Sequence, residues 1–183
     1  MGVKVITSSN VRWSYLNVFE PKSVNGSTPK YSVSLIIPKS DTLTISRIQQ
    51  ALKDVYRDSL SVLKGSAKVA PAFDKINIPL HDGDEKKPND PAYANAYYIN
   101  ATGTEAPKIV DTNKQEILDR SEIYSGCYGR ASINFYAYNR NGNKGIGCGL
   151  NHLQKFKDGE PLGGRASAES DFADEEHDDD LLG

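Results

Sequence analysis

Features that would mark an enzyme, a membrane protein or a disulfide-stabilised protein are scarce in this sequence. Its 183 residues include only two cysteines, Cys127 and Cys148, which are too few for a disulfide framework or a structural zinc site. No apolar run approaches the roughly 20 residues that cross a bilayer, and no basic-then-apolar leader opens the chain. These absences predict a soluble intracellular protein that contacts no membrane.

Catalytic and cofactor-binding motifs are missing as well. The glycine-rich run 145–150 resembles a dinucleotide-binding turn, but Leu150 occupies its third small position and a strand is predicted there instead of a helix. The chain has no phosphate-binding loop with Gly-Lys-Ser or Gly-Lys-Thr. The carboxylates after His81 do not complete a calcium loop, and His152 has no second His or Cys at metal-ligand spacing. We therefore expect no enzyme, no metal and no cofactor.

Positive charge is absent from the last fifteen residues. Residues 169–183 carry eight carboxylates and no Lys or Arg, which leaves 16 of the 24 acidic residues in positions 1–168 against all 22 basic ones. The body therefore has a formal charge of +6, although the whole chain has −2. Because dense like charges cannot bury apolar surface, we predict one domain over residues 1–162 and a disordered, solvated acidic tail over 163–183. A basic body tethered to an acidic arm indicates a polyanion-binding surface with a built-in competitor. A solubility tail without a partner is the alternative.

Short β-rich segments separated by turns make up most of the domain. One helix is predicted, capped by Asp41 or Ser40 and buried along one face as far as about Leu63, with Gly65 ending it. The polar stretch 81–91 predicts a long exposed loop. Strands are predicted over 3–6, 11–19, 31–37, 75–80, 96–101, 108–111, 124–138 and 144–150.

The last two strands form the most specific pattern. Asn141-Gly142 is typical of a two-residue hairpin turn, which would pair Arg140 with Asn143. In that register one face carries apolar pairs such as Phe135 with Cys148, and the other places tyrosines beside Gly145, Gly147 and Gly149. Glycine alternation weakens a strand, and close approach of a ligand to the backbone is one reason for it.

The exposed face of this hairpin is rich in Tyr and Arg, which suits single-stranded nucleic acid. Bases stack on aromatic rings regardless of sequence while cations follow the phosphates. Alternatively, the tyrosines pack under another segment and the glycines accommodate a bulge. The predicted DNA-binding residues are Tyr128, Arg130, Asn134, Tyr136, Tyr138, Arg140 and Lys144, together with Trp13 and Tyr15 on the first long strand. A position in the core is the alternative for Trp13, since a lone Trp is more often a core residue than a stacking platform.

The segments just described resemble a known family. Residues 124–138, 145–154, 12–21 and 31–38 are similar to phage single-stranded-DNA-binding proteins with an OB-fold core, the group found in T7-like phages, and the resemblance spans about residues 3–162. It implies a mostly β protein: an OB-fold-like five-stranded Greek-key barrel with one inserted helix, long loops and a disordered acidic C-terminal tail.

The resemblance also implies a function. The protein would coat single-stranded DNA without sequence preference during phage replication, recombination or repair, in the cytoplasm of the infected bacterium. The tail would compete for the DNA groove and recruit a DNA polymerase or helicase. Many such tails end on an aromatic residue, whereas this one ends in Asp178, Asp179, Asp180, Leu181, Leu182 and Gly183. A homodimer is compatible with the sequence. A β-barrel structural or assembly protein of a virion is the alternative from another class. A nuclease or other enzyme that uses the carboxylates of the 81–91 loop is a third and weaker possibility.

Overall fold

The computed structural model of the protein describes residues 2–23 and 25–162. The predicted acidic tail, with its partner-binding residues 178–182, lies outside the described residues. None of the helices in the described ranges has the length and apolar character needed to cross a membrane.

Eight strands and three helices are present in this part of the chain. The strands are β1 (Val3–Ile6), β2 (Arg12–Lys22), β3 (Lys30–Pro38), β4 (Leu80–Asp82), β5 (Ala96–Gly103), β6 (Lys108–Val110), β7 (Tyr128–Arg140) and β8 (Asn143–Lys157). The helices are α1 (Thr42–Asp58), α2 (Leu60–Lys64) and α3 (Gly83–Lys86). Three short 3₁₀ turns cover Phe73–Lys75, Pro91–Tyr93 and Arg120–Glu122.

Five of the strands close into a ring. β7 pairs with β2, β2 with β3, β3 with β5, β5 with β8, and β8 returns to β7. The β5–β8 contact is parallel and the other four are antiparallel. The three remaining strands are short and add to this ring: β1 pairs with β7, β4 with β5, and β6 with β8. The predicted OB-fold-like five-stranded barrel is therefore confirmed.

Apolar side chains fill the inside of the ring because strand residues alternate between its two faces. Trp13, Phe135 and Ile133 are all fully buried there. Gly129 makes the packing of Trp13 feasible, since a Cβ built on Gly129 would lie 2.4 Å from the indole ring. The barrel is thus a packed core with no central channel for a ligand.

The inserted helix packs against β1 and β7. The Asp41 side chain accepts a hydrogen bond from the Thr44 N–H, and Ile48, Leu52 and Val55 are buried along one face, as predicted. The single helix expected to run through Leu63 is instead two, because the chain leaves helical geometry at Ser59 before α2 begins.

Two predictions about residues 75–91 are wrong. Of the strand expected over 75–80, only a bridge between Asn77 and Gly145 and the first residue of β4, Leu80, are present. The long exposed loop contains β4 and α3 and folds onto β5. An ion pair stabilises this arrangement: the Lys39 ammonium lies 2.9 Å from Asp82 and 2.8 Å from Asp84. Lys39 is distant in sequence from both aspartates. The polar composition of residues 81–91 therefore suggested a solvated loop, although the segment is folded.

Candidate nucleic-acid interface

The β7–β8 hairpin has the predicted register. Arg140 pairs with Asn143 across a turn in which Asn141 and Gly142 both have positive φ, 54° and 85°. Phe135 faces Cys148 on the core side. On the outer side Asn134, Tyr136 and Tyr138 face Gly149, Gly147 and Gly145 respectively.

The glycines of β8 make room for the tyrosines of β7. A Cβ built on Gly147 would lie 2.7 Å from Cζ of Tyr136, and one on Gly145 would lie 2.7 Å from the Tyr138 hydroxyl and 2.5 Å from the Asn77 carbonyl oxygen. The strip is therefore covered by the protein itself. This favours the alternative in which glycines accommodate tyrosine packing over the one in which they admit a ligand. Both rings are half-buried, so part of each still reaches solvent.

The outer face of the hairpin continues around the barrel as a polar surface. Gly149 neighbours Thr102 of β5, and Thr102 faces Ser32 of β3. One rung further along, Asn100 faces Ser34. Small hydroxyl and amide side chains thus replace the apolar residues that face inward.

Between these polar strands and their loops lies an open groove of about 670 Å³. Ser32, Ser34, Asn100 and Thr102 are on its floor, and Tyr15 lines it. Its cations are Lys22, Lys30, Lys87 and Arg140. No Asp or Glu from the described ranges lines it, so the groove presents one sign of charge to an incoming anion.

Tyr15 is aimed at the groove by an unusual backbone conformation. Its φ is 48°, and the β2–β3 register shifts between Ser14 and Asn17. This bulge breaks the alternation that would have placed Trp13 and Tyr15 on one face. Tyr15 is 60% exposed, whereas Trp13 is 0% exposed. The prediction that Trp13 contacts DNA is therefore wrong, because its ring lies entirely in the core.

Lys87 lies among three tyrosine rings at the same groove. Its ammonium is 4.9 Å from the ring centre of Tyr15, 4.6 Å from that of Tyr93 and 5.4 Å from that of Tyr98. Tyr93 is fully buried, with its hydroxyl 2.9 Å from that of Ser34 on the groove floor. Burial raises the pKa of Tyr93 and of Tyr98, so these rings stay neutral at physiological pH.

The structure does not bring all the predicted site residues together. Of the predicted cations, only Arg140 lines the groove. Arg130 is exposed and donates to the Thr7 carbonyl oxygen and to Gln154, and Lys144 donates to the Lys64 carbonyl oxygen at the end of α2.

The remaining predicted residues on β7 also lie apart from the groove. Tyr128 is at the far end of the strand. Its ring centre lies 5.3 Å from Cζ of Arg12 and 5.0 Å from Nζ of Lys157. Asn134 lines a separate depression that also includes Lys4.

Three groove cations, Lys22, Lys30 and Lys87, are not among the predicted DNA-binding residues. Lys22 and Lys30 pair across the base of the β2–β3 hairpin, and two lysines flanking a polar turn were the available signal for them. No sequence signal distinguishes Lys87 from its neighbour Lys86, because the three rings that contact Lys87 come from distant positions.

Comparison with known proteins identifies the family. The model of the family described as "Enterobacter phage Enc34, ssDNA-binding protein" matches residues 3–182. A relative from Acyrthosiphon pisum secondary endosymbiont phage 1, called putative protein p50, is 34% identical over 173 residues, which is 90% of each chain.

Solved structures agree with this match. The single-stranded DNA-binding protein from bacteriophage Enc34 in complex with ssDNA superimposes with a TM-score of 0.72 at 28% identity, over 88% of this chain and 89% of that one. Gp2.5, a single-stranded DNA-binding protein encoded by bacteriophage T7, shares the fold with a TM-score of 0.61 at 16% identity, over 94% and 95% of the two chains. This chain belongs to the Enc34 family of phage single-stranded-DNA-binding proteins.

Proposed function

We propose that this protein binds single-stranded DNA in the outer groove of the barrel. The observation that carries the proposal is the charge of the groove: four cations surround a floor of small polar groups, without a carboxylate from the described ranges. Phosphates of a single strand gain from such a lining because each neutralised charge releases a counterion.

Tyr15 and Tyr136 supply stacking surfaces in this proposal. Tyr15 is largely exposed within the groove, and Tyr136 is half-buried on the adjoining hairpin. Every base has a flat face, so stacking on such rings carries little sequence preference. The small side chains of the floor leave room for any of the four bases.

The acidic tail competes with DNA for this groove. The last described residue, Leu162, packs against the cluster formed by Ile36, Tyr93, Ala96 and Tyr98, and its N–H donates to the Ser125 carbonyl oxygen at 2.8 Å. Twenty-one residues follow, and a chain of that length reaches up to about 70 Å when extended. Because the tail is tethered to the same chain, its carboxylates have a high effective concentration at the four cations.

We assign the protein no catalytic role. It would coat single strands during replication, recombination or repair in the cytoplasm of the infected cell, and Asp178, Asp179, Asp180, Leu181 and Leu182 would recruit a polymerase or helicase. A homodimer stays a prediction. The alternative, a structural protein of a virion, rests only on the β-barrel and explains neither the charge of the groove nor the family match.

Equilibrium binding to labelled oligo-dT tests the proposal. The full chain should bind with an affinity that falls steeply with salt, and mixed-sequence oligonucleotides should bind similarly. Lys22→Ala/Lys30→Ala should weaken binding, whereas Lys53→Ala, an exposed lysine of α1 outside the groove, serves as the matched control. Equal affinities for the groove and control variants would move the DNA path elsewhere.

A further inference from the structure

Lys87 differs from every other cation at the groove because aromatic rings surround it. Its ammonium lies 4.6 to 5.4 Å from three tyrosine ring centres, within the range at which a cation is attracted to the negative face of a ring. Two of the rings, Tyr93 and Tyr98, are buried and therefore fixed. Tyr15 is the exposed member of the cluster.

The backbone of Lys87 is held in place as well. Its N–H donates to the Gly83 carbonyl oxygen at 2.9 Å, and its carbonyl oxygen accepts from the Asp90 N–H at 3.1 Å. The Lys39 ion pairs with Asp82 and Asp84 hold the preceding turn against the sheet. The fold therefore fixes the backbone from which this cation extends.

Tyr15 has the opposite character. It protrudes from a bulge, at a φ of 48°, which costs a non-glycine residue energy. A ring that is 60% exposed at such a position loses rotational freedom when a base stacks on it. A fixed cation against its face removes part of that freedom in advance.

We propose that Lys87 is a positioning residue for Tyr15 in addition to a phosphate contact. It holds the Tyr15 ring at the groove in an orientation ready to stack on a base, while its own charge remains available to the adjacent phosphate. The inference rests on the proposed binding of single-stranded DNA in this groove. It predicts that substitutions of Lys87 and Tyr15 have coupled effects on DNA affinity, whereas substitutions of Lys86 and Tyr15 have independent effects.

A double-mutant cycle with oligo-dT affinity as the readout tests this coupling. Lys87→Met removes the charge and keeps an unbranched chain beside the rings, and Tyr15→Leu removes the ring. If the two residues acted independently, the fold-loss of affinity in the double variant would equal the product of the two single fold-losses. We expect a loss at least about threefold smaller than that product, because contacting residues are not additive. The matched cycle uses Lys86→Met, at the exposed neighbour of Lys87 that ends α3, and its losses should multiply.

Two further measurements separate positioning from other roles. Lys87→Arg keeps a cation over the rings and should retain affinity within about twofold, while the thermal midpoint of each variant reports folding. Lys87→Gln replaces Lys87→Met in the cycle if the methionine variant unfolds. Multiplicative losses in the Lys87 cycle, equal to those of the Lys86 cycle, would overturn the inference. Absence of oligo-dT binding by the unmodified chain would instead overturn the proposed function itself.

Discussion

The ring of Tyr136 lies against the backbone of Gly147, so closely that a methyl group on Gly147 would stand 2.7 Å from the ring carbon Cζ. Such a contact is shorter than van der Waals packing allows, and the ring would have to move. The pair therefore forms one packing unit in which the side chain of one strand fills the gap left by the other.

Gly147→Ala should destabilise the protein by about 1–3 kcal/mol, the usual cost of overpacking. Gly149→Ala is the matched control two residues along the same strand. A Cβ there would lie 3.5 Å from the Asn134 carbonyl oxygen and 3.8 Å from the Tyr136 ring, which are ordinary contacts, so its effect should stay within about 0.5 kcal/mol. Urea unfolding of both variants measures the difference, and equal losses would contradict it.

Tyr15→Ala and Tyr136→Ala should each weaken oligo-dT binding about 5- to 150-fold, because stacking contributes about 1–3 kcal/mol per base. Tyr15→Phe keeps the ring and should bind nearly as the parent does. Fluorescence titration gives the affinities, and thermal unfolding gives the stability. Because Tyr15 is mostly exposed, its removal should leave the thermal midpoint almost unchanged. If affinity is unaffected by both alanine variants, the bases lie elsewhere.

Each groove cation that neutralises a phosphate should contribute about 0.7 to the slope of log affinity against log salt for a single strand. Lys22→Ala, Lys30→Ala and Arg140→Ala should each flatten the slope by about that amount. Arg130→Ala and Lys144→Ala test the path along the hairpin that the sequence suggested. A flatter slope in this second pair, with no change in the first three, would place the DNA on the hairpin instead of in the groove.

Deleting residues 169–183 should raise the affinity for oligo-dT, most at low salt, because eight carboxylates then no longer compete for the groove. The gain should shrink as the Debye length falls below about 10 Å near 0.1 M salt. Leu181→Ala/Leu182→Ala keeps every charge and should not raise the affinity, although it should weaken capture of a replication protein. Equal affinities of the full-length and truncated chains at low salt would exclude competition by the tail.

Acid should weaken the attachment of the segment that carries Lys87. Hydrogen bonds from Lys39 lower the pKa of Asp82 and of Asp84 below the ordinary 3.8. A carboxyl with a lowered folded-state pKa stabilises the fold above its unfolded value, and this contribution disappears as the pH falls through the folded value. Lys39→Met should therefore lower stability more at pH 7 than near pH 3, as measured by urea unfolding at both pH values. The same deficit at both would show that the ion pairs do not contribute.

The hairpin illustrates what the sequence could predict. Apolar alternation in β7, the Asn141-Gly142 turn and the glycines of β8 specify one register, because a slip of one residue would expose Phe135 and bury Tyr136. The helix was equally accessible through the spacing of Ile48, Leu52 and Val55. These features depend on neighbours in sequence or on one tight turn.

The groove shows what could not be predicted. Tyr15 faces the groove because of a bulge with positive φ, and no residue type in this β-rich stretch predicts such a bulge. Lys87 reaches the groove because the ion pairs of Lys39 with Asp82 and Asp84 hold this segment against the sheet. Lys39 and Asp84 are more than forty positions apart in sequence. The closure of the barrel itself came from the family resemblance, since strand patterns alone do not specify which strands are neighbours.

The closed ring of five strands affects how copies of this protein behave when many of them are close together. Open sheets present unpaired backbone N–H and C=O groups along their edges and can join edge to edge. Here the strands added outside the ring, β1, β4 and β6, are only four, three and three residues long. Strands this short offer little template for another chain. Many copies could therefore lie side by side along one nucleic-acid strand, at very high local concentration, without their sheets fusing into aggregates.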